Sequence, residues 1–260
     1  MRLRGILVDV GSRKTDPVSE VVNAMSGKSG PRIAAMVCAL FALECYSASA
    51  SEEAVDRATQ QALELDAHPD RGASVFRQSC ARCHGNDAQG DASRSIPELA
   101  GQRFKYIVRQ LADFAGAERD SATMHHVLTQ NELREPQTWV DVAAYLNNLP
   151  MGRQVQTGDG AHTALGRGIF HEQCASCHRA DAHGDAEGFI PSLRHQHYSY
   201  LVAQLRKIAE GYRHNVDEDL VRFLRSFDDE EIRATADYLS RLPPLTNVHK
   251  AMRHDGTVVD

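Results

Sequence analysis

The chain has 260 residues, with 29 Lys and Arg against 35 Asp and Glu, 13 His, 6 Cys and a formal net charge of −6. That length admits one or two ordinary domains, and 42% apolar with 25% charged residues is globular composition, which excludes wholesale disorder. The acidic balance argues against a nucleic-acid binder, six cysteines are too few for a disulfide scaffold of this size, and 6% aromatic residues leave a large core to be filled by something else.

Residues 33–41 are almost unbroken apolar sequence, preceded by Lys28 and Arg32 and followed by Ala48-Ser49-Ala50. This order predicts a secretory signal peptide cleaved before Ser51. The stretch is shorter than the roughly 20 residues a membrane-spanning helix needs, so no permanent anchor is expected; an uncut anchor is the alternative. Glu44 is a poor lipoprotein context for Cys45. Met25 would open a signal of ordinary length, so residues 1–50 read as an over-long start plus signal. After cleavage Cys38 and Cys45 are gone, 23 basic and 31 acidic residues remain, and the protein is expected to work in the periplasm.

Residues 51–69 read as an N-terminal helix and linker, with Ala54, Ala58, Ala62 and Leu65 at helical spacing. The rest is one unit written twice. Gly72-Ala-Ser-Val-Phe76 … Cys80-Ala-Arg-Cys83-His84 recurs as Gly166-Arg-Gly-Ile-Phe170 … Cys174-Ala-Ser-Cys177-His178, at an offset of 94. The same offset relates Pro97 to Pro191, Gln102 to Gln196, Tyr106 to Tyr200, Gln110 to Gln204 and Arg119 to Arg213. A period this long means two tandem domains, placed at 70–150 and 165–243, with a linker at 151–164 and a loose tail at 244–260.

Each unit reads as all-α. Asp70 is expected to cap a short helix running into Cys80. Phe104, Ile107, Val108, Leu111 and Phe114 mark a second helix, as do Tyr198, Leu201, Val202, Leu205 and Ile208. The closing helices carry Trp139, Val142, Ala143 and Leu146, then Ile232, Ala236 and Leu239. Pro136 suits the first turn of one, and Asp228 with Glu231 gives the other a capping-box start. The stretch 85–97 is polar and Gly-rich and reads as loop, and no segment alternates with period two for long.

Cys-x-x-Cys-His is the attachment signature of c-type haem. Two thiols one helical turn apart can bond the two vinyl groups of a porphyrin, and the adjacent His reaches the iron. A four-cysteine zinc site is the rival, but its pairs stand roughly 15–20 residues apart and need no His after each pair. Disulfides or thiol redox pairs leave both histidines unexplained. Two covalent haems also supply the apolar core that the aromatics do not.

Each unit resembles a class I cytochrome c, and the tandem resembles the dihaem cytochrome c4 family. The resemblance rests on the two CxxCH motifs, Pro97-Glu-Leu-Ala-Gly-Gln102 with Tyr106 and Gln110-Leu111, the closing Ala144-Tyr145-Leu146, and their counterparts Pro191-Ser-Leu, Gln196, Tyr200 and Asp237-Tyr238-Leu239. It covers about residues 70–243. It implies two haems c bound through Cys80, Cys83, Cys174 and Cys177, with His84 and His178 on the irons and a Met opposite each.

In the first unit Met124, 40 residues after His84 and expected in a loop before an apolar helix, takes that place; His125 and His126 are weaker alternatives. The second unit departs from the pattern. No methionine occurs between 152 and 251, and aligning Leu220-Val-Arg-Phe-Leu224 with Met124-His-His-Val-Leu128 puts Leu220 where the Met should be. That haem is either five-coordinate or bound by another residue, His214 first, then His195, His197 or Met252 of the tail. The leading functional reading is a periplasmic electron carrier between a dehydrogenase or respiratory complex and a terminal oxidase or reductase, with redox proteins as partners. A haem enzyme using the second site (a peroxidase, a thiosulfate dehydrogenase-like oxidoreductase or a nitric oxide binder) is the alternative, and a cytochrome subunit of a larger oxidoreductase is a third.

Overall fold

The structure is a computed structural model that describes residues 52–213 and 215–244. The expectations placed on residues 1–50, on His214 and on the tail with Met252 lie outside the described residues. Helix α1 covers residues 52–63. The first unit continues with α2 (Pro69–Val75), a π-helical turn (Phe76–Cys80), α3 (Ala81–His84), α4 (Phe104–Ala115), α5 (Ala122–Leu128) and α6 (Pro136–Asn148). The second repeats the order with α7 (Thr163–Ile169), a π-helical turn (Phe170–Cys174), α8 (Ala175–His178), α9 (Tyr198–Ala209), α10 (Glu218–Leu224) and α11 (Asp229–Arg241). Among the described residues no strand forms; the loops after α3 and α8 are pinched only by isolated bridges, Asp91 to Ile96 and Asp185 to Ile190.

The first and last helices of each unit cross at backbone contact. A Cβ on Gly72 would lie 1.9 Å from the Asp141 carbonyl oxygen, and one on Gly166 would lie 1.9 Å from that of Ala234. Only glycine permits that approach. Just beyond each crossing a fully buried Phe meets a Tyr of the closing helix, Phe76 with Tyr145 at 5.5 Å and Phe170 with Tyr238 at 5.7 Å between ring centroids. The chain entering each crossing is held by a buried carboxylate of the closing helix. Asp141 accepts the His68 N–H (2.8 Å) and pairs with Arg71 Nε (2.5 Å), while Asp237 accepts the Gly160 N–H (2.7 Å) and pairs with Arg241 Nε (2.7 Å).

Three local expectations are corrected. His68, not Asp70, is the N-cap of α2, and no side chain caps it; its helix start is held through Asp141 instead. Helix α1 buries Val55, Thr59 and Ala62 rather than Ala54 and Leu65, because Val55 fits over Gly116 of the first unit. Met124 lies inside a short helix, α5, whose first turn is closed by the Ser121 hydroxyl accepting the Met124 N–H. The capping box of Asp228 and Glu231 and the N-terminal Pro136 form as the sequence predicts.

The two units meet about a pseudo-twofold axis that pairs residues 94 apart. Gln102 accepts the Ser192 N–H (2.8 Å) and donates to the Ser192 carbonyl (2.9 Å); Gln196 does the same to Glu98 (2.9 and 2.8 Å). Arg119 donates to the Tyr200 hydroxyl and Gln204 Oε1, and Arg213 donates to the Tyr106 hydroxyl and Gln110 Oε1. Arg103 Nε donates to the His183 carbonyl, and His197 Nε2 to that of Gln89.

Glycine at the crossing has a measurable consequence. Gly72→Ala forces the helices apart and should cost about 3 kcal/mol, the upper range for overpacking. Gly168, in the same helix as Gly166 but with nothing within 4 Å of its added Cβ, should instead gain about 0.5–1 kcal/mol as Ala. Thermal unfolding of the two variants checks the opposite signs.

Glu98 gives a second expectation. The residue is buried (4% exposed); Oε1 accepts the Gly152 N–H and Oε2 has no hydrogen-bond partner. Burial pushes its carboxyl from the ordinary 4.5 up to about 7, with Asp87 adding to the push and the Gly152 N–H opposing it. A raised carboxyl favours the neutral acid in the fold, so stability present below pH 4.5 is lost as pH rises through about 7, by a total on the order of 3 kcal/mol. Glu98→Gln keeps the acceptor and removes the titration; its melting temperature should exceed that of the parent at pH 8 and match it near pH 4.5.

Candidate functional site

The chemistry-bearing residues sit just past each helix crossing. The π-helical turn that starts at buried Phe76 ends on Cys80, and α3 then places Cys83 and His84 one turn further. The second unit repeats this with Phe170, Cys174, Cys177 and His178. A π-turn admits an extra residue per turn and re-aims the residues after it, a device common at functional sites. No disulfide joins the four cysteines. Burial, and then the neighbouring thiol, push Cys80 and Cys174 up to about 11. Both thiols are held in the protonated form, which does not suit a reactive thiol redox pair.

Each histidine is prepared as a ligand. The Nδ1 of His84 lies 3.3 Å from the Pro97 carbonyl oxygen and that of His178 lies 3.1 Å from the Pro191 carbonyl oxygen. Nδ1–H donates there, which leaves the Nε2 lone pair for a metal and fixes the ring. Burial holds both imidazoles below their usual pKa, hence neutral. Among the described residues no cluster of three His, Cys, Asp or Glu exists that could bind another metal. A thioether pair with one oriented, neutral imidazole is the donor set of a c-type haem, so the residues present fit that group in both units.

The residues expected as the second iron ligands differ between the halves. Helices α5 and α10 are both seven residues long, start behind side-chain caps (Ser121 and Asp217), and bury their seventh residue, Leu128 or Leu224. Met124 and Leu220 occupy the same third place. Met124 is half-buried, and Leu220 is 37% exposed, so neither is a core-filling residue.

The structure places two of the sequence candidates for the second unit. His197 is buried at the interface; its Nδ1 accepts the Gln156 N–H (3.2 Å) while Nε2 donates to Gln89 (2.8 Å), so both nitrogens are used in one neutral tautomer. His195 is buried with φ +54° and its Nδ1 set 3.3 Å from the Leu242 carbonyl oxygen at the end of α11. His197 has no nitrogen left for iron, whereas His195 Nε2 is buried without a hydrogen-bond partner and keeps its lone pair, as His84 and His178 do. In the first unit His125 Nδ1 is held 2.8 Å from the Phe114 carbonyl oxygen. Arg213 and Asn215, on either side of His214, are bound to Gln110, and Asn215 also to Asp113.

Two family models match the chain: cytochrome c over residues 163–243, and cytochrome c oxidase, cbb3-type, subunit III over residues 67–146. The chain is 34% identical over 182 residues to a thiosulfate dehydrogenase electron acceptor of Stutzerimonas stutzeri, covering 66% of this chain and 82% of that one. It is 28% identical over 173 residues to cytochrome c4 of Pseudomonas aeruginosa, covering 63% and 83%. Among solved structures, reduced recombinant cytochrome c4 from Pseudomonas stutzeri is similar with a TM-score of 0.60 at 26% identity, covering 68% of this chain and 99% of that one.

Proposed function

The chain belongs to the cytochrome c4-like family of tandem class I cytochrome c domains, and on that premise we propose that it is a periplasmic dihaem carrier passing single electrons between a dehydrogenase and a terminal oxidase or reductase. The observation that carries this reading is the duplicated site, a Cys-x-x-Cys pair followed by a neutral histidine locked on a proline carbonyl in each half. Bound at such a site, a haem takes up and releases one electron at its iron.

The chain's own residues do the rest. Cys80 with Cys83, and Cys174 with Cys177, tether one haem each. His84 and His178 would each give a nitrogen to one iron, and Met124 would give a thioether to the first, a ligand that raises its potential. Trp139, Val108 and Leu146 in one half, and Leu201, Ile232 and Leu239 in the other, belong to the cores against which Cys80 and Cys174 pack. A thiosulfate dehydrogenase is the electron donor best supported, because the Stutzerimonas relative is named as the acceptor of that enzyme.

Leu220 favours one amendment. An isobutyl group cannot bind iron, and both His197 nitrogens are used at the interface, so the second iron would have no methionine ligand and would take either His195, whose Nε2 has no hydrogen-bond partner, or a small neutral ligand, as a nitric oxide binder or haem enzyme would require.

A catalytic amount of thiosulfate dehydrogenase with thiosulfate should load two electrons onto each chain; reduction by dithionite but not by this couple would reject the assigned donor. Carbon monoxide should bind the reduced protein once per chain and leave the other haem unchanged. Leu220→Met should abolish that binding and add a second methionine–iron charge-transfer band, while Met124→Leu should remove the band of the parent. Carbon monoxide uptake appearing only after His214→Ala would assign the sixth position to His214 instead.

A further inference from the structure

The carbonyl that orients each proximal histidine belongs to a peptide group whose other end is held by the opposite domain. The Pro97 carbonyl faces His84 Nδ1 at 3.3 Å, and the N–H of that same peptide unit, carried by Glu98, donates to Gln196 Oε1 at 2.9 Å. The Pro191 carbonyl faces His178 Nδ1 at 3.1 Å, and its N–H, carried by Ser192, donates to Gln102 Oε1 at 2.8 Å. Both glutamines are buried (Gln102 7% and Gln196 6% exposed), and each uses its Nε2–H to clasp the next carbonyl, that of Ser192 at 2.9 Å or of Glu98 at 2.8 Å.

From this we infer that Gln196 is a positioning residue for the haem ligand His84, and Gln102 for His178, so that each domain tunes the iron of the other. Hydrogen bonds in series polarise one another in a low-dielectric interior. An acceptor on the peptide N–H makes its carbonyl a stronger acceptor for Nδ1–H, and a better-held Nδ1–H makes the imidazole a stronger donor to iron. Stronger donation favours the ferric state. The glutamine also fixes the peptide plane, and with it the ring orientation. Other cross-domain bonds, such as Ser199 Oγ to the Ala92 carbonyl (2.8 Å), touch neither peptide.

The inference rests on the reading that each Cys pair carries a haem, and a haem content of two per chain by pyridine haemochrome secures that reading separately; a content of one would overturn both. Redox titration then compares the parent with Gln196→Met and Gln102→Met, which keep side-chain volume but lack the acceptor. The expected pattern is crossed: Gln196→Met raises the potential of the haem next to His84 and leaves the other in place, and Gln102→Met does the reverse. Ser199→Ala leaves both unchanged. Shifts confined to the haem of the mutated domain, equal shifts of both haems, or no shift in either variant would overturn the inference.

Discussion

Everything chemical in this chain depends on a backbone-to-backbone contact between the first and last helices of each unit. Gly72 against Asp141 and Gly166 against Ala234 bring the helices closer than any side chain allows. That closeness buries Phe76 and Phe170 completely, and each of these rings begins the π-turn that delivers a cysteine pair and its histidine. The covalent attachment points are therefore set from a fixed crossing rather than from a loop. The same contact closes a domain of about 80 residues that is poor in aromatics, which is small for a self-sufficient core and which a covalently bound haem would complete.

The second organising feature is the pseudo-twofold interface, where symmetry of position is combined with asymmetry of chemistry. Gln102 and Gln196, Tyr106 and Tyr200, and Arg119 and Arg213 play identical parts. Around them the halves differ. Glu98 faces the linker where the other half has Ser192, Arg103 stands where the other has His197, and Asp113, with no exposure, accepts from Arg109, Gln110 and Asn215. The two Cys-x-x-Cys-His sites are thus built alike and surrounded unlike. With Met124 in one half and Leu220 in the other, the proposed haems would differ in ligand as well as in electrostatic surroundings.

Much of this was legible in the sequence, because the attachment motif is local and the repeat keeps a constant offset. The motif and the offset led to all-α tandem domains with Cys80, Cys83, His84 and their counterparts as sites, and the family and fold agree. The roles of the repeated polar residues were not legible. Tyr106, Gln110 and Arg119 recur visibly, but the partners they meet in the other unit lie 81 to 107 residues away, and no local pattern announces a contact across that distance. His197 looked like an iron ligand because histidine is a ligand type; its two hydrogen bonds, one to the linker and one to the first domain, are fixed by tertiary placement alone. Helix α1 was misphased because Ala54 and Leu65 are as apolar as the residues it buries, and only the groove at Gly116 selects Val55. The cap of α2 was misplaced for a similar reason. A buried Asp141 from the far helix does what a local Asp70 would otherwise do.

Two one-electron centres of unequal potential, held in one pair of domains, are the central expectation. Spectropotentiometric titration of the full protein, following the haem bands with electron paramagnetic resonance to assign each centre, tests this most directly. Two resolved one-electron steps are expected, the higher belonging to the methionine-ligated haem of Cys80 and Cys83. A single step of two equivalent low-spin haems, both with methionine-type spectra, would contradict it.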